Sequence, residues 1–306
     1  MKSAVLNELN YKFNHNMKII VSFSGGKDSH ACLIEAVKKY GADKIEAVFC
    51  DTGWEHPDTY NHIIETCKSL NVKLTTLKGK YDFVSLAVYK KRFPSAKARF
   101  CTSELKIKPM IDYVLTLNDS CIIIQGIRAS ESSSRAKMDE ECMYFKSYFQ
   151  PNKNGKKETY RAKEIRKYCL EHDASVLRPI FNWSAQQVID CIVSSGQQPN
   201  PLYYKGLSRV GCFPCIMCRH SEVRQILKDE PMKQRLLEAE KIMKEGTGRG
   251  STFFPPNYIP KWACSNRNYP TVQEVFNYVS NKDATADMFE PEDGYSCMSL
   301  FHGLCE

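Results

Sequence analysis

Two patterns alternate along residues 18–125. Short runs of β-branched and other apolar side chains at 18–23, 45–49, 72–77 and 121–125 have the length and composition of buried strands. Between them, at 29–40, 58–70 and 104–117, apolar residues recur every three or four positions, which is the period of an amphipathic helix. Strand and helix in alternation predict a Rossmann-like α/β fold, a mainly parallel sheet covered by helices on both faces. Ligands of such sheets bind beyond the carboxyl ends of the strands, so chemistry is expected in the loops after Phe23, Phe49 and Gln125. After about Pro179 the alternation fades and proline, glycine and cysteine become denser, with helical patterns returning at 221–227 and 232–244. The expected division is an α/β domain over residues 1–182 and a mostly helical, cysteine-bearing subdomain over 183–306.

At 306 residues, 42% hydrophobic and 25% charged, the chain is long enough for a sizeable core and has ordinary globular composition. No stretch approaches about 18 uncharged apolar residues, so a membrane span is not expected. The first residues lack the apolar stretch of a secretory leader, and a cytoplasmic location is expected. In that reducing compartment the 14 cysteines read as free thiols, a metal site or thiol chemistry. The net charge of +8 suits an anionic partner, and the lysine-rich stretch 153–167 is either a surface loop or a phosphate contact.

The first loop reads Ser24-Gly25-Gly26-Lys27-Asp28-Ser29. Its glycines let backbone N–H groups turn towards an anion, the following helix adds its positive end, and Lys27 can neutralise charge on a leaving phosphate. The spacing differs from the Walker loop, so a kinase-type site is not indicated. In the second loop, Asp51-Thr52-Gly53-Trp54-Glu55-His56-Pro57-Asp58, Asp51 suits a ribose hydroxyl or a cation such as magnesium. The loop from Gly126 carries Arg128 and Arg135, each able to hold a phosphate or sulfate bidentately. Cys212, Cys215 and Cys218 stand at successive intervals of three, a spacing that lets thiolates converge on one metal centre. Cys101, just before a helical pattern, is a candidate fourth ligand, and a Cys₄ set suits zinc as well as an iron–sulfur cluster.

The SGGKDS loop resembles that of the adenine nucleotide α-hydrolase-like, PP-loop ATP pyrophosphatase superfamily. The segments DTGWEHPDTY and GIRASESSSR are similar to those of its phosphoadenosine phosphosulfate (PAPS) reductase family. The resemblance implies cofactor contacts from Ser24, Gly25, Gly26, Lys27, Asp28, Ser29, Asp51, Thr52, Gly126 and Arg128 to ATP, or to PAPS or adenylylsulfate (APS). It implies catalytic roles for Lys27, Asp28, Arg128 and Arg135. It also implies a [4Fe–4S] cluster on Cys101, Cys212, Cys215 and Cys218, with Phe100 where one of the family's tandem thiols stands. The family's reductases end in E-C-G-aliphatic-H, whereas this chain ends Phe301-His302-Gly303-Leu304-Cys305-Glu306, similar in composition but reversed in order. That departure, with an intact phosphate loop, favours the thiolating branch: an ATP-dependent sulfurtransferase that adenylates an acceptor, with tRNA or DNA as acceptor and a cysteine desulfurase as partner. Two alternatives stand: a PAPS or APS reductase working with thioredoxin, and a nucleotide sensor without turnover.

Overall fold

The computed structural model describes residues 17–152, 155–248, 250–265 and 269–281. A six-stranded sheet in the order β3-β2-β1-β4-β6-β5 organises them. Its strands are β1 (Lys18–Ser22), β2 (Ile45–Asp51), β3 (Lys73–Lys78), β4 (Cys121–Gln125), β5 (Glu141–Met143) and β6 (Ala174–Leu177). All neighbours are parallel except β5 and β6, which form an antiparallel edge. The central strands KIIVS and CIIIQ are almost wholly buried. Continuous β-branched runs belong in such positions because both faces of a parallel sheet are covered.

The helices that frame the sheet and the site are α1 (Lys27–Tyr40), α2 (Pro57–Ser69), α3 (Phe83–Tyr89), α4 (Lys108–Leu117), α5 (Ala162–Glu171), α6 (Ala185–Ser194), α7 (Pro201–Tyr204), α8 (His220–Leu227), α9 (Glu230–Thr247) and α10 (Val272–Asn281), with a further short turn of helix at Lys146–Phe149. Side chains alternate between two cores with the strand period of two. Ile19, Val21, Ala47, Phe49, Ile122 and Ile124 face α1, α2 and α6. Ile20, Val48, Cys50, Ile123 and Val176 face α4 and α5. A third cluster, built on Trp54, Phe83, Leu105, Phe213, Leu236 and Phe276, joins the later helices to the loop after β2.

The expected strands and early helices are present, and β6 extends the parallel sheet at a run too short to stand out. The helix expected over 104–117 begins earlier, as a turn at Phe100–Thr102 and a π-type turn at Ser103–Ile107 leading into α4. α6, beyond the division expected near residue 182, packs on α1. Helix α10 lies in the tail for which no helix was expected, although its buried Val272, Val275, Phe276 and Val279 recur at the helical intervals of three and four. No helix of the described residues is long and apolar enough to cross a membrane.

Candidate functional site

An open cleft lies at the carboxyl ends of β1, β2 and β4. Its walls are Ser22, Phe23, Ser24 and Ser29 from the first crossover, Val48, Phe49 and Cys50 from β2, and Glu55, Lys106, Gly126 and Gly211. Three loops meet there because parallel strands all deliver their carboxyl ends to one side of the sheet.

The Ser24–Ser29 loop is held from within and from outside. Gly25 takes φ +80°, and a Cβ there would lie 2.9 Å from Ile63 Cγ1. A side chain is therefore excluded by strain and by space together. The Ser29 hydroxyl donates to the Gly26 carbonyl (3.0 Å), lies 3.2 Å from the Ser24 hydroxyl, and accepts from the Ser24 N–H (3.3 Å). From the far segment, Asn200 Nδ2 donates to the Gly25 carbonyl (3.1 Å) and to Thr59 Oγ1 (3.3 Å). The Lys27 N–H donates to the Tyr203 hydroxyl (3.0 Å), and the Lys27 ammonium lies 5.1 Å from the Tyr203 ring centroid. Residues near 200 thus brace a loop 175 positions earlier.

Asp28 and Arg128, both expected to touch a nucleotide, are buried against each other, with Nε donating to Oδ1 at 2.6 Å. Arg128 also donates to Ser130 (3.0 Å). Arg135 is buried and paired with Glu131. Gly126 sits where β4 ends against the start of α1, and a Cβ there would stand 2.6 Å from the Ser29 nitrogen. Asp51 accepts from the Gly53 N–H (2.9 Å) and the Tyr60 hydroxyl (2.7 Å) and faces Lys78 (3.2 Å). Burial opposes its charge, but these donors outweigh burial and hold the carboxyl below its usual range.

Two pocket residues had no role assigned from sequence. Glu55 is buried, yet its carboxylate accepts from the Thr52 hydroxyl (2.7 Å), the Thr52 and Trp54 N–H groups (3.2 Å each) and the Tyr60 hydroxyl (3.0 Å). Burial, with Glu55 and Asp51 alongside, pushes the Tyr60 phenol far up, so it stays a donor. Lys106, also buried, lines the opposite wall. Neither carried a sequence signal: Glu55 sits in a turn and Lys106 in a helical stretch, and their burial depends on the folded chain around them.

The four thiols expected to share a metal all border the third apolar cluster. Cys212 Sγ lies 3.9 Å from both Thr52 Oγ1 and Glu55 Oε1, and residues 55 and 212 form an antiparallel bridge. Cys218 is buried; burial, with Glu222 and Cys215 beside it, pushes its thiol well up. Among the described residues no three His, Cys, Asp or Glu side chains are arranged to hold a metal ion. The cleft chemistry is therefore derived without a step through a cluster or zinc on Cys101, Cys212, Cys215 and Cys218. His302 and Cys305 lie outside the described residues.

Residues 18–218 match the phosphoadenosine phosphosulfate reductase domain. An uncharacterised 37.8 kDa protein of Escherichia phage 186 is 30% identical, the alignment covering 94% of this chain and 96% of that one. A protein of Methanocaldococcus jannaschii is 29% identical over 70% of this chain but 39% of its own length, so the chain spans less than half of that relative. Among solved structures, the PAPS reductase of Candida auris in its phosphate complex is similar at TM-score 0.45 and 16% identity, covering 69% of this chain and 88% of that one. The NH3-dependent NAD synthetase of Campylobacter jejuni gives 0.40 and 13%, covering 81% and 90%. The domain match takes in every residue that lines the cleft, and on that match the chain belongs to the phosphoadenosine phosphosulfate reductase family.

Proposed function

We propose that this protein binds ATP in the cleft, cleaves it between the α and β phosphates, and passes the adenylyl group to an acceptor that then receives sulfur. The observation that carries the reading is the intact Ser24–Ser29 loop, braced by Asn200 and Tyr203 and facing a pocket walled by Val48, Phe49 and Cys50. Backbone N–H groups and the start of α1 receive the β and γ phosphates, and Lys27 offsets charge as pyrophosphate leaves. The adenine edge lies along β2, where backbone groups next to Val48 and Phe49 can read it. The buried Asp28–Arg128 pair fixes the register of the first and fourth loops, so the guanidinium positions the loop as well as adding positive potential.

In the first half-reaction an acceptor oxygen attacks the α phosphorus and the bond to the β-phosphate oxygen breaks, releasing pyrophosphate. In the second, sulfur at the oxidation level of sulfide attacks the activated carbon and AMP leaves with the oxygen. Cys212, whose Sγ lies 3.9 Å from the cleft residue Glu55, supports a delivery of that sulfur from the cysteine segment. The sulfurtransferase reading, its donor and the four-cysteine centre expected from sequence rest on the resemblance of the cysteine segment to the family.

The test is product analysis with ATP and candidate acceptors. Pyrophosphate and AMP are expected, and Lys27→Ala is expected to lower pyrophosphate release at least about 100-fold, the scale of removing one preorganised electrostatic donor. Orthophosphate in place of pyrophosphate overturns the reading. Sulfite released from PAPS or APS with thioredoxin replaces it by the reductase reading, and tight ATP binding with no product replaces it by the sensor reading.

A further inference from the structure

Residues 78–99 carry seven basic side chains, Lys78, Lys80, Lys90, Lys91, Arg92, Lys97 and Arg99, against the single acid Asp82. The whole chain balances 43 basic residues with 35 acidic ones, so this stretch concentrates the charge. It runs from the end of β3 through α3, whose Phe83, Leu86 and Ala87 are buried against the later helices. That packing turns the other face outward. Tyr89 is 60% exposed and stacks on Tyr81 with ring centroids 4.9 Å apart and 20° between planes. Lys80 lies over the Tyr81 ring at 5.4 Å and Lys90 over the Tyr89 ring at 5.4 Å. Nearby, the Arg92 guanidinium lies 5.8 Å from the Phe100 ring centroid. Lys80, Lys91, Arg92 and Lys97 make no ion pair with a carboxylate among the described residues.

We infer that this face is a binding surface for single-stranded nucleic acid, presented to the cleft as acceptor. Cations track a phosphate backbone, while exposed aromatic faces take unstacked bases; a duplex offers the first match and not the second. Two ion pairs tie this face to segments that lead into the cleft: Lys90 faces Glu104 (3.5 Å), two positions before the pocket residue Lys106, and Lys78 faces Asp51 (3.2 Å) at the end of β2. The lysine-rich stretch near 160 is less suited, because Arg161 is paired with Asp112 and Glu164 and the Tyr160 hydroxyl is held by Asp112. The acceptor role rests on the adenylyl-transfer reading; the binding surface does not.

The test is fluorescence anisotropy of the whole chain with labelled RNA and DNA single strands of about 16 nucleotides, and a duplex of equal length, from about 50 to 200 mM salt. Single strands are expected to bind more tightly than the duplex, and a gap between RNA and DNA identifies the sugar read. The triple variant Lys80→Glu, Lys90→Glu, Lys91→Glu should raise Kd by at least tenfold and flatten the log–log salt slope by about 2, while still binding ATP. Tyr89→Ala should raise Kd for single strands about 5-fold or more and leave the duplex unchanged, with Tyr89→Trp retaining single-strand binding. Equal affinity for duplex and single strand with no effect of Tyr89→Ala overturns the inference, as does wild-type oligonucleotide binding by the triple variant. Binding of an acidic protein or anionic vesicles in place of oligonucleotides also overturns it. A chain carrying Lys27→Ala separates the two readings: oligonucleotide binding persists there even if the reaction assigned to the cleft proves wrong.

Discussion

A methyl group added at Gly126 would meet backbone, the Ser29 nitrogen at 2.6 Å and the Asp28 carbonyl carbon at 2.7 Å, and backbone cannot rotate away. Gly126→Ala should therefore push the start of α1 off β4, costing roughly 1–3 kcal/mol as overpacking does. The same displacement opens the Ser24–Ser29 loop, so weaker ATP binding should accompany the lower melting temperature; a melt like wild type's refutes this role for the glycine. The glycine was legible in sequence, but as a ligand contact, because a motif shows which residue type is needed and not what approaches it. Arg128 and Arg135 read similarly as an anion clamp; the partner of Arg128, Asp28, emerges only once β4 lies beside β1, whereas Glu131 is a local partner four positions before Arg135. Glu55 carried no signal at all: a carboxylate in a turn is ordinary until residues 60 and 212 fold over it.

Local periods made the strands and helices through β4 readable, whereas α10, with an equally regular spacing, lies in an aromatic-rich tail where no helix was expected. The alternation through β4 sets the sheet because each strand is buried on both faces and each helix on one. β5, three residues long, has no room for a period, and α7 is a single turn that matters only for what it touches. α7 begins at the cap residue Asn200, wholly buried, whose side chain both caps Leu202 and donates to Gly25 and Thr59. Asn200→Ala leaves the Gly25 carbonyl without this buried donor and should cost about 1–3 kcal/mol. ATP affinity should fall with it, and unfolding in urea together with ATP titration checks both; a loss of stability without weaker ATP binding would confine Asn200 to capping. α9 holds the second loop in the same manner, with Arg235 donating to the carbonyls of Gly53 (2.6 Å) and Glu55 (2.8 Å) and lying over Trp54 at 4.2 Å. This helix lies beyond the family match, so the C-terminal part of the chain helps shape the cleft.

At the scale of the molecule, α1 and α2 are joined beneath the phosphate loop by two buried histidines, His30 and His62, their rings 5.2 Å apart edge to face. Neither nitrogen of His30, nor Nε2 of His62, has a hydrogen-bond partner among the described residues. Burial, with His62 adding repulsion, lowers His30 to about 3, and burial lowers His62 to about 4. Unfolded, both would titrate near 6.5. Between these values the unfolded chain binds more protons than the folded one, so stability is complete above about pH 6.5 and falls as pH drops toward 4. With both sites contributing, the steepest loss is about 3 kcal/mol per pH unit, enough to exhaust a marginally stable fold within a few units. Asp51 acts in a separate window: its lowered carboxyl withdraws its contribution only below about pH 4. Replacing the pair by His30→Leu and His62→Leu removes unpartnered polar atoms at similar volume, which should leave stability near neutral pH little changed and flatten the profile between pH 6.5 and 4. On the proposed reading ATP binds the folded chain alone, so its apparent affinity should decline over the same interval in the wild type and hold in the double variant. Urea midpoints measured across that interval decide the matter, and parallel acid losses in the two proteins would mean that the histidines are bystanders.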